Sequence, residues 1–215
     1  LPPKAQRPLT EQLIRDHLLH PGAKTAIGEL CAQLYRNAPD QLTKSTKDLN
    51  LKKKELLDIR TSQLFFANVF KYVAGVLAAP AIDVYQRQSS MAELELVSSR
   101  PPALLAGEDS PYFKDIPQRL LSFHLARNVT YARPDLFLAR AYPGDALRDL
   151  MAAFVGLFKQ KAAALGDPRE VQAWMQVLSA LPEPVMRRVK DFTVAAYGEM
   201  KNQGAVSAFS EAAEY

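Results

Sequence analysis

Cysteine is nearly absent from this sequence: Cys31 stands alone among 215 residues. A lone thiol excludes a disulfide framework and a cysteine-built zinc site. Histidine is almost as scarce, with His17, His20 and His124 the whole supply. No Gly-x-Gly-x-x-Gly, no phosphate-binding loop and no Gly-x-Ser-x-Gly elbow occurs, so the short signatures of dinucleotide binding, nucleotide hydrolysis and serine-esterase chemistry are missing. Long apolar runs are missing too. The best candidates, Leu64 to Ala81 and Met151 to Phe158, are broken by Asn68, Lys71 and Gly75 or end at Lys159, short of the ~20 residues a membrane span needs. No signal-peptide h-region stands near the start. Charge of one sign is not in strong excess: Lys plus Arg is 27 and Asp plus Glu is 23, a balance of +4.

What is present is ordinary globular material. Hydrophobic residues are 48% and charged residues 23%, which excludes a disordered, collagenous or coiled-coil chain. A chain of this length buries roughly 70% of its unfolded surface, so it needs no staple to fold. It reads as one domain over 1–215, a fragment of a longer chain that opens at Leu1 in an extended, Pro-rich lead-in (1–9). The absence of a span and the unpaired thiol fit a reducing, cytoplasmic setting. The most basic stretch, Lys44 to Arg60, sets Lys44, Lys47, Lys52, Lys53, Lys54 and Arg60 against Asp48, Glu55 and Asp58, with no interleaved aromatics to stack on bases. It reads as part of a polar, Lys-rich loop over 39–60, and no nucleic-acid partner is expected from it.

Periodicity predicts a predominantly helical α+β fold. Thr10 and Glu11 open a first helix that stops at His20-Pro21-Gly22, and a second runs over 24–35 with Ile27, Leu30, Cys31 and Leu34 on one face. Ser62 is placed to cap a helix over 63–77 that is apolar almost all round and so belongs in the centre of a core. The period then changes. Ile82 to Gln86, Ala92 to Ser98 and Pro102 to Gly107 predict a small antiparallel three-stranded sheet (about 82–106), packed beside a central helix over 117–132. Further helices are predicted over 144–165, 169–180 and 183–201, with another beginning at Ala205.

His17 and His20 lie three apart on one helix and could present two imidazoles to a metal. His20 also sits at a helix C-terminus, where a partly charged imidazole suits the dipole. Cys31 on an apolar face reads as inert packing. The informative part is the order strand, strand, strand, then the helix Arg119 to Arg133. This order resembles zinc metallopeptidases of the heat-shock and prenyl-protein protease type, in which a β-hairpin precedes a helix bearing His-Glu-x-x-His. The resemblance implies that two histidines four apart would hold zinc and the glutamate would act as base. Phe123, His124 and Arg127 occupy those three positions here, so the resemblance implies a domain without its metal. Phenylalanine cannot ligate zinc, and a permanently cationic arginine repels it. A third ligand would have to come from Glu199, Glu211 or Glu214. Leu9 to Pro21, Phe70 to Leu77 and Ala126 to Asp135 further resemble the C-terminal region of large bacterial tetratricopeptide-repeat proteins.

These resemblances imply a non-catalytic, pseudoenzyme-like interaction or scaffold domain of a larger bacterial protein, with protein partners and no cofactor. Two surfaces are candidates: the sheet edge around Ala92 to Ser98, with Glu93 and Glu95, and the former catalytic cleft, with Phe123, Arg127 and Asn128. A plain amphipathic helix would instead bury Leu120, Leu121, Phe123, His124, Leu125 and Val129 and leave Arg119, Arg127 and Asn128 near solvent. Two alternatives belong to other classes. One is an atypical hydrolase built on His124 with polar groups such as Arg127, Asn128, Tyr131 or Glu95. The other is weak binding of nucleic acid or an anionic surface through Lys44 to Arg60.

Overall fold

The computed structural model describes residues 7–87, 93–202 and 204–213. The expectations placed on Pro2 and Pro3, on Ala92 and on Glu214 lie outside these residues. In chain order the helices and strands are α1 Glu11–Leu13, α2 Ala26–Asn37, α3 Pro39–Leu42, α4 Phe65–Val76, β1 Asp83–Arg87, β2 Glu95–Val97, β3 Ala103–Gly107, α5 Gln118–Tyr131, α6 Pro134–Ala141, α7 Asp145–Gly156, α8 Pro168–Ser179, α9 Glu183–Met200 and α10 Ala205–Ala212. The protein is α+β and predominantly helical, as the periodicity predicts. Among the described residues, no helix is long and apolar enough to cross a membrane. Where the sequence reads as one domain, the internal contacts fall into two compact units, Leu1–Leu18 with Thr43–Arg133 and Leu19–Leu42 with Pro134–Tyr215.

The first unit is built on the sheet. Its order is β1-β3-β2, with β3 antiparallel to β2 but parallel to β1. The sheet is therefore mixed rather than wholly antiparallel. The reason lies in β3, Ala103–Gly107, which is buried at every position. A continuous apolar run takes the central place, where both faces are covered, and this leaves β1 and β2 on either side. The Lys-rich segment is also more ordered than a loop. Its start, Pro39–Leu42, is the short helix α3 of the second unit; in the first, Leu57 N–H donates to the Val84 carbonyl at 2.8 Å along β1, and Lys44 N–H donates to the Ser98 carbonyl at 2.7 Å beyond β2. The guanidinium of Arg87 donates to the carbonyls of Leu49 and Asn50. Beside the sheet, α5 touches β2 and packs on α4. Helix α4 buries Phe66, Val69, Phe70 and Val73 but leaves Phe65 exposed, so it is amphipathic rather than apolar all round. Arg133, buried at the end of α5, meets the carboxylate of Glu11 at 2.6 and 3.2 Å and ties α1 in place.

In the second unit α2 packs on α6 and α9, and α7 packs on α8. Helix α7 is the most buried: every residue from Leu150 to Gly156 is inside. The helix expected over 144–165 ends at Gly156. The chain turns at Lys159 and returns as the 3-10 helix Gln160–Leu165, and a Cβ on Gly156 would stand 3.2 Å from the Ala163 Cβ. The missing side chain admits that close return. Helix α2 is capped twice: Thr25 Oγ1 accepts from Gly28 N–H, and the Glu199 carboxylate accepts from Ala26 and Ile27 N–H at 2.8 and 3.0 Å. His20 caps the 3-10 turn Pro21–Ala23, its Nδ1 accepting from Gly22 N–H at 3.1 Å.

Candidate interaction surface

Helix α5 sorts its side chains at helical spacing. Leu121, Leu125, Asn128, Val129 and Tyr131 point into the unit. Leu120, Phe123 and Arg127 lie on the outside, at i, i+3 and i+7, on one stripe. Phe123 is 62% exposed and Leu120 46%, so neither is the core residue that a plain amphipathic helix would make of it. Asn128 is the opposite case. It is buried, and its Nδ2 donates to the His124 carbonyl at 2.9 Å, so it drops out of the surface residues. That back-bond to the preceding turn satisfies an amide that water cannot reach.

The exposed stripe is braced by aromatic and cationic contacts. The His124 ring stands edge-on to Phe123 at 5.7 Å between centres and edge-on to Tyr112 at 5.3 Å. Tyr112 is set by the turn before α5, where Ser110 Oγ accepts its N–H at 3.3 Å. Its phenol is pushed above the ordinary tyrosine range, first by burial and then by the charge of Glu93. Glu93 is exposed ahead of β2, and Glu95 is exposed on β2. Arg127 Nε donates to Tyr131 Oη at 2.8 Å, one turn further on. Tyr112 escaped the sequence reading, because a Ser-Pro turn is legible but the ring its tyrosine meets is not.

The positions that resemble a zinc motif do different work. Phe123 and Arg127 present a ring and a cation to solvent. The ring nitrogens of His124 have no hydrogen-bond partner among the described residues. Among the described residues, no three His, Cys, Asp or Glu side chains are grouped to hold a metal. Both oxygens of Glu199 are engaged at the start of α2, and Glu211 is exposed on α10. Cys31 is wholly buried with its Sγ 3.9 Å from Met151 Sδ, and burial pushes its thiol far above the ordinary range.

No family model, no curated protein and no solved structure matches this chain. The likeness to metallopeptidases and to tetratricopeptide-repeat proteins rests on the residue pattern alone.

Proposed function

We propose that this chain is a non-catalytic protein-interaction domain, part of a larger scaffold, and that the outer face of α5 docks a partner segment carrying apolar and acidic side chains. The single observation that carries the reading is the exposure of Phe123, 62% of an aromatic side chain held in water beside Leu120. Exposed apolar groups clustered with an arginine have the composition of binding hot spots. The charge of α5 supports an acidic partner: the helix contains Arg119 and Arg127 and no carboxylate. Its first turn has no side-chain cap, and Arg119 there adds to the positive end of the helix dipole. A carboxylate on the partner complements both, and its apolar residues cover Leu120 and Phe123.

A photo-crosslinking residue in place of Phe123, introduced into the full-length protein in its own cells, tests this. One discrete crosslinked protein is expected, lost on Arg127→Glu and absent when the crosslinker replaces the exposed Lys53. Crosslinking at position 123 that is absent, or indifferent to Arg127→Glu, contradicts the reading.

A further inference from the structure

We propose that the turn leading into α4, with the lysines ahead of it, docks the protein on an anionic lipid surface. The whole positive excess of the chain is gathered there. Lys plus Arg is 27 and Asp plus Glu is 23 over the chain; residues 44–71 hold seven of the first and three of the second, so twenty of each sign remain elsewhere and cancel. Lys52, Lys53, Lys54, Arg60 and Lys71 are exposed, and none of them forms an ion pair among the described residues. The three carboxylates are turned to their own chain instead. Asp48 accepts from Ser45 Oγ at 2.7 Å, Glu55 from Lys52 N–H at 3.4 Å and Asp58 from Thr61 Oγ1 at 2.7 Å.

Apolar side chains stand among these charges. Leu57 N–H bonds the Val84 carbonyl at 2.8 Å and holds this segment against the edge of β1, while Leu56 is exposed. Ser62 N–H then donates to the Asp58 carbonyl at 2.9 Å, closing a turn from which Leu64 and Phe65 emerge, both exposed, at the start of α4. Lys71 reaches back along α4, and its Nζ donates to the Ser62 carbonyl at 3.4 Å, which sets a cation over the same turn. The first turn of α4 has no side-chain cap and no carboxylate, so its N–H groups suit a phosphate oxygen. Ammoniums attract anionic headgroups at long range and without fixed geometry, and leucine and phenylalanine beside them enter the headgroup boundary. A nucleic acid gains nothing from exposed leucines, and no aromatic is interleaved among Lys44 to Arg60 to stack on bases, so the composition favours lipid.

Co-sedimentation of the protein with vesicles of phosphatidylcholine, alone or with about a third phosphatidylserine, tests the proposal. Binding is expected only to the anionic vesicles and should weaken as salt rises from about 0.1 to about 0.5 M. Lys52→Ala with Lys54→Ala should weaken it at least about fivefold, whereas Lys159→Ala with Lys161→Ala, which removes the same charge from exposed positions elsewhere, should change it less than about twofold. Leu64→Ser and Phe65→Ser should each weaken it at least about threefold, a loss that charge alone does not explain. Binding indifferent to phosphatidylserine, equal loss in the two double variants, or full binding by both serine variants overturns the proposal. Retention of duplex DNA in place of the vesicles also overturns it and assigns the lysines to nucleic acid.

Discussion

Arg127 and Tyr131 are locked together one helical turn apart: the guanidinium Nε donates to the phenol oxygen at 2.8 Å, and its carbon lies 5.5 Å from the ring centre. Immobilising a long side chain on binding costs about 0.5–1.5 kcal/mol, so a guanidinium ordered beforehand binds at lower cost. Tyr131→Phe keeps the ring and removes the acceptor. It should lower stability by about 0.5–1.5 kcal/mol in urea denaturation. It should also weaken partner binding less than Arg127→Ala does, a comparison that surface plasmon resonance makes directly.

The second prediction concerns Glu199, which the zinc-motif resemblance offered as a ligand and the structure places at the N-terminus of α2. Glu199→Ala leaves two backbone N–H groups without their acceptor and should destabilise the protein by about 1–3 kcal/mol. Glu199→Gln keeps one acceptor oxygen and should cost less. Urea denaturation of the two variants gives the order. If both match the unsubstituted protein, the cap contributes nothing.

Two glycines in helices should respond with opposite sign. A Cβ on Gly28 would stand 2.8 Å from the Ala23 carbonyl oxygen and 2.9 Å from the Phe209 ring. Gly28→Ala therefore forces α2 away from its neighbours and should cost about 1–3 kcal/mol. Gly75, on the exposed side of α4, would meet nothing within 4 Å. Gly75→Ala should gain up to about 1 kcal/mol from helix propensity. Thermal denaturation reads both shifts.

Cys31 yields a pH prediction. Burial, aided by the charge of Asp135, raises its thiol well above the ordinary cysteine value, near which the unfolded chain ionises. The protonated thiol is favoured in the fold, so its contribution is whole below about pH 9 and shrinks above it, by up to about 1.4 kcal/mol per pH unit. Urea midpoints between about pH 8 and pH 10 should fall more steeply for the native chain than for Cys31→Ala. Equal slopes would show an exposed thiol.

Much of the fold was legible in the sequence. Thr10 and the Pro-Gly at 21–22 mark where elements begin and stop, and the apolar periods of α2, α8 and α9 lie within a residue or two of the observed helices. The sheet pairing was not legible, because an apolar run such as Ala103 to Ala106 announces burial but not which neighbour it bonds. The break after Gly156 depends on a close return of Ala163, a tertiary contact with no local signature. On α5 a plain amphipathic reading buries Phe123 and exposes Asn128, and the structure reverses the two. Helical spacing alone leaves open how far round the buried stripe extends, and here it stops short of Phe123 while an internal hydrogen bond lets Asn128 in.

The central claim, that the outer face of α5 carries the binding, is tested most directly by the affinity of the crosslinked partner segment for Phe123→Ser. The account predicts a loss of about 2 kcal/mol or more, roughly thirtyfold in Kd, with the melting temperature changed little because Phe123 is largely exposed before binding. An unchanged Kd would place the interaction elsewhere and contradict it.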